Sequence, residues 1–105
     1  MICNQKLNKN LDALGFRESK SGTDLIRAGV AIVEAQRSAM MCKDVYPALA
    51  KAAGTTPGRV ERAIRTAINT AMQSPMWEEA WRDMGGWGHP TNSEMLRRLA
   101  RESAV

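Results

Sequence analysis

The sequence is poor in the side chains that build reactive centres. It has one histidine, His89, and two cysteines, Cys3 and Cys42. These cannot assemble the usual zinc constellation, and two cysteines without a disulfide spacing pattern read as free thiols. No nucleophile–base pair and no phosphate-cradling glycine loop is visible, so neither an enzyme nor a cofactor is expected. Aromatics are scarce too: one Phe, one Tyr and three Trp. A core must therefore rest mainly on Ala, Leu, Ile, Val and Met. The β-branched and aromatic runs that mark strands are nearly missing, which argues for helices. The longest apolar run, "AGVAIV" at 28–33, is far too short to span a bilayer. The opening "MICNQKLNKNLDALGF" puts Lys and Asn where a secretory signal needs an apolar segment. The chain is expected in the cytoplasm, at the nucleoid, with no membrane partner.

What is present is a single-domain length of 105 residues with a formal charge of +4 and a pI near 9.5. That balance favours an anionic partner. Residues 1–10 are polar and expected to fray, with a short helix ending near Gly15. Residues 1–20 then form an N-terminal arm with that helix, and 21–105 the domain proper. Thr23 is a good N-cap, with Ser21 and Asp24 at capping-box spacing. The spacing of Leu25, Ile26, Gly29, Ile32 and Val33 predicts a helix over about 24–38. "MMCKD" at 40–44 is a linker. Val45, Leu49, Ala50 and Ala53 share one side of a short helix that must start close to Pro47.

Another helix is predicted from about Gly58 to Gln73, closed by Pro75. A further one over 76–84 gathers Trp77, Ala80, Trp81 and Met84 on one face. Trp87 and His89 follow in the loop "GGWGHP", where His89 reads as a loop residue near a phosphate. "TNSEMLRRLARES" restarts a helix behind a Thr/Asn/Ser cap. The tryptophans read as core, since a domain with so few aromatics has use for them there. The sum is an all-α bundle of five or six helices containing a helix-turn-helix.

That unit lies in "TTPGRVERAIRTAIN", 55–69, and the stretch before it. A helix-turn-helix needs a small residue for close approach, a glycine in the turn and an apolar plug in the second helix. Ala50, Gly54 and Val60 supply these, with Leu49 and Ala53 packed beneath. At about 100° per residue, Val60, Ile64, Ala67 and Ala71 share one face of the second helix. Opposite stand Arg62 and Asn69, flanked by Gly58, Arg65 and Thr66, with Arg59 and Glu61 at the margins. Arginine makes bidentate contacts to guanine, Glu accepts from cytosine N4 and Thr bonds either way. Glu61 and Arg65 are also an i,i+4 pair, which often only supports a solvated helix. Lys43, Lys51, Thr55, Thr56 and Gly58 are the candidates for phosphate contact.

The stretch "VYPALAKAAGTTPGRVERAIRTAI" resembles the C-terminal DNA-binding effector domain of the master sporulation response regulator of endospore-forming bacteria. Tyr46-Pro47, Ala50-Lys51, Thr55-Thr56 and Arg59 through Arg65 carry the resemblance, joined by "PTNSE" at 90–94. It spans about 24–102. The resemblance implies an all-helical domain that binds double-stranded DNA through the second helix. Arg59, Glu61 and Arg62 fall on the family's base-reading positions, with Arg65 close by. It also implies a homodimer on tandem sites, or a pairing with a related regulator, through the last helix. There Met95, Leu96 and Leu99 serve as core or as dimer interface.

The chain departs from the family at Thr66, where a bulkier residue is usual, and in a shorter, Trp-rich 73–89. A receiver domain does not precede the effector region in these residues, which leaves an excised domain or a stand-alone relative. The expected function is sequence-specific transcriptional regulation. The alternative is a protein-binding module that pairs with or antagonises a full-length regulator, with tryptophans as anchors.

Overall fold

The computed structural model describes residues 5–16 and 21–103. Among these it is all-helical: α1 (Gln5–Leu14), α2 (Ser21–Ala35), α3 (Tyr46–Ala53), α4 (Pro57–Ala71), α5 (Trp77–Asp83) and α6 (Asn92–Glu102). A π-helical turn, Met41–Val45, leads directly into α3. The bundle expected from the apolar spacing is what forms.

The N-terminal segment is more ordered than its polarity suggested. α1 begins at Gln5, and Leu7, Leu11 and Leu14 are buried on one side of it. Four- and three-residue steps put all three on one face, so Leu7 extends the stripe into the part expected to fray. Phe16 follows, 5% exposed, and meets Trp77 edge-on at 6.3 Å between ring centres. Trp77 in turn stacks on Trp81 at 5.6 Å. α1 packs on α5 and α6, and its leucines join the same core as the later helices. Residues 1–4, Cys3 among them, and 17–20 lie outside the described residues; Cys42 is an exposed free thiol.

α2 is the central helix, packed against α4, α6 and α3. It starts at Ser21, so Thr23 is not its cap. Thr23 is the helix's third residue and is 1% exposed, while Asp24 pairs with Arg27 at 3.0 Å. The helix also stops at Ala35, three residues short of the expected end. The presumed linker at 40–44 is helical because Asp44 turns back to accept a hydrogen bond from the Met40 N–H at 2.8 Å. Gly22 permits a close approach of α2 to α4. A Cβ there would lie 2.7 Å from the Ala63 carbonyl oxygen and 2.8 Å from the Ala67 Cβ, both on α4. Seven residues on, a Cβ at Gly29 would lie 3.1 Å from Leu96 on α6.

α6 is capped as its sequence predicts. The Thr91 hydroxyl accepts from the Glu94 N–H, and the Glu94 carboxylate accepts from the Thr91 N–H, at 3.1 and 3.2 Å. Its Met95, Leu96 and Leu99 are all at 0% exposure. They hold α6 onto the chain's own core, the first of the two roles that the sequence left open. Ala53, expected beneath α4, is exposed, and the inward side of α3 is made by Tyr46, Leu49 and Ala50.

A Cβ at Gly22 would meet a backbone carbonyl and a Cβ fixed to the α4 backbone, neither of which can yield cheaply. Gly22→Ala should destabilise the fold by about 1–3 kcal/mol, read as a lower midpoint in urea unfolding at unchanged slope. A change inside about 0.5 kcal/mol would show that α2 and α4 can separate freely.

Candidate nucleic-acid interface

α3 ends where its sequence requires. Gly54 adopts φ 68° and ψ 37°, the left-handed conformation that side chains disfavour. The Gly54 and Thr55 N–H groups both bond back to the Ala50 carbonyl, the latter at 2.9 Å. Ala50 itself is buried. Thr56 then caps α4, its Oγ1 accepting from the Arg59 N–H at 3.3 Å, and Pro57 fills the first helical position. α4 thus begins one residue before Gly58 and ends at Ala71. Three residues, 54–56, join the two helices.

α4 divides as its periodicity predicts. Val60, Ile64, Ile68 and Ala71 are buried, with Val60 and Ile64 at 0% exposure. Arg59, Arg62, Arg65, Thr66, Asn69 and Gly58 are exposed, and Glu61 is half-buried. Arg65 pairs with Glu61 at 3.0 Å. Arg59 and Arg62 have no ion-pair partner among the described residues. The Glu61–Arg65 pair does not withhold Arg65. An exposed pair of this kind contributes about 0.3–0.5 kcal/mol, less than the roughly 1–3 kcal/mol of discrimination from a bidentate base contact.

The outward face has two different flanks. Arg59, Arg62 and Thr66 border a cleft shared with Ser21, Gly22 and Thr23 at the start of α2. On the other side the loop before α6 reaches α4. The His89 Nε2 lies 2.9 Å from Asn69 Oδ1, and its Nδ1 lies 3.0 Å from the Pro90 carbonyl oxygen. Asn92 Nδ2 donates to the Glu61 carbonyl at 3.0 Å and to the Tyr46 hydroxyl at 3.1 Å. One carboxamide therefore joins the first residues of α3 and α6 to the middle of α4. The sequence reading missed His89 and Asn92 as neighbours of this face. Twenty and thirty-one residues separate them from their α4 partners, and helical periodicity carries no signal at that range.

Of the phosphate candidates, Thr56 and Gly58 sit at the N-terminal end of α4, exposed, with Thr55 half-buried beside them. Thr56 accepts as a cap, so its hydroxyl hydrogen is free to donate. Lys43 and Lys51 are exposed on the π-helical turn and on α3. Trp87, expected in the core, is 84% exposed, while Trp77 and Trp81 are buried.

Two helices joined by a three-residue turn, with the second turning guanidiniums outward, define a helix-turn-helix DNA-binding domain. The family described as sporulation initiation factor Spo0A C terminal matches residues 7–102. The chain belongs to that family, a DNA-binding domain of sporulation regulators. A search of the curated proteins finds no match. Among the described residues no helix is long and apolar enough to cross a membrane.

Burial pushes the Tyr46 phenol above its ordinary value of 10.0, with the Glu61 charge adding to the rise and the Asn92 hydrogen bond opposing it. A raised folded value means that the unfolded chain ionises first, so stability is lost as pH climbs past about 10 and is fully present below it. Tyr46→Phe should cost about 1 kcal/mol at neutral pH through the lost Asn92 contact. It should also flatten the alkaline fall in urea-unfolding stability. Parallel pH profiles for the two chains would remove Tyr46 as the buried alkaline group.

Proposed function

We propose that the chain is a sequence-specific regulator of transcription that reads the major groove with α4. Arg59, Glu61, Arg62, Arg65 and Thr66 face the base edges. Lys43, Lys51, Thr55, Thr56 and Gly58 hold the phosphates and set the register. The observation that carries this is the division of α4. One face is sealed by Val60, Ile64 and Ile68, and the other is open, arginine-rich and free of large apolar side chains. Among the described residues no carboxylate pairs with Arg59 or Arg62, which supports it further. Such a protein works in the cytoplasm at the nucleoid. Sporulation is the process its family membership suggests.

The two contact classes separate by titration against duplexes of different sequence, followed by fluorescence anisotropy. Arg62→Ala should cost about 1–3 kcal/mol on the preferred duplex and narrow its advantage over the others. Lys51→Ala should weaken binding to all duplexes alike and reduce the log–log salt slope by about one. An Arg62→Ala chain with unchanged affinity and preference would contradict the groove assignment.

A further inference from the structure

Away from α3 and α4, the turn after α2, the loop after α5 and the outer stripe of α6 border an open cleft of about 580 Å³. Arg37, Arg97, Arg98 and Arg101 line it, against two carboxylates, Glu34 and Glu94. The α6 arginines converge because three- and four-residue steps share a helix face. Arg97 is held in place: its Nη1 donates to the Arg37 carbonyl at 2.9 Å, and its Nη2 to the Ala39 carbonyl at 2.7 Å. Gly85 makes room for Arg98, since a Cβ there would lie 3.2 Å from the Arg98 Nη1. Arg37, Arg98 and Arg101 have no ion-pair partner among the described residues. The Glu94 carboxylate is committed to the α6 cap.

Two tryptophans complete the cleft. Trp81 lines it, is 4% exposed, and keeps its indole N–H buried without a hydrogen-bond partner among the described residues. Trp87 lines it too, almost wholly uncovered at 84% exposure. The lining thus holds four guanidiniums against two carboxylates, an excess of positive charge and of donors. An occupant must bring negative charge and acceptor atoms. The cleft is open and carries a bare indole, which suits a chain segment laid across it better than an enclosed small molecule. Trp and Arg are also the side chains that most often anchor protein interfaces. A duplex seated on α4 is not what the cleft faces, as no lining residue belongs to α3 or α4.

We propose that this cleft docks an acidic segment of a partner protein. Its carboxylates pair with Arg37, Arg98 and Arg101, and its apolar portion lies on Trp87. A short poly-glutamate peptide is the probe, titrated into the isotope-labelled chain with the three indole N–H resonances followed by NMR. Saturable shifts of Trp81 and Trp87 are expected. Combined Arg98→Gln and Arg101→Gln should weaken binding about tenfold, and Trp87→Ala, a change at an exposed site, should weaken it independently. The proposal fails if no saturable shift occurs, or if the shifts centre on Arg59–Asn69. It fails equally if duplex DNA moves the Trp81 and Trp87 resonances as much as the peptide does.

Discussion

The exposed arginine face of α4 depends on how closely α2 approaches α4. The absence of a side chain at Gly22 lets α2 lie against the Ala63 carbonyl and the Ala67 methyl. With α2 that near, Val60, Ile64 and Ile68 are sealed, and the remaining side of α4 has nowhere to point but outward. α2 also carries α6 on its other side, where Gly29 meets Leu96. A single helix thus sets the position of both cationic surfaces. One is the arginine face of α4, the other the arginine cleft beside α6.

Orientation around the α4 axis is fixed by Asn92. Its amide joins the Tyr46 hydroxyl and the Glu61 carbonyl, so the helix-turn-helix is bound sideways to the start of α6. The capping box at Thr91 and Glu94 presets where Asn92 begins. The two motifs that first suggested the family, Tyr46-Pro47 and the 90–94 stretch, therefore touch in space. Their separation in sequence hides a single structural joint.

Where local rules governed, the sequence was legible. Gly54 as a left-handed terminator, Thr91 as a cap and the two faces of α4 all follow from spacing and backbone preference, and the structure has them. The weaker readings failed for physical reasons of longer range. Polar residues 5–10 read as frayed because only Leu7 marks them as packed, and the helices that α1 packs on, α5 and α6, lie far along the chain. Thr23 has the chemistry of a cap but is buried against the core by a helix that starts earlier. Met95, Leu96 and Leu99 form an apolar stripe whose partner, core or second copy, no periodicity can specify; burial within the chain decides it. The arginine cleft draws on α2, α5, α6 and two loops, so no short stretch of sequence announces it.

The central claim is that α4 reads bases. Selection of bound duplexes from a random DNA pool by the intact chain tests it most directly. The account predicts that a short motif recurs among the recovered duplexes, and that Arg62→Ala degrades the enrichment at one position of that motif. Recovery of duplexes with no shared motif would contradict it, and so would an identical motif from the Arg62→Ala chain.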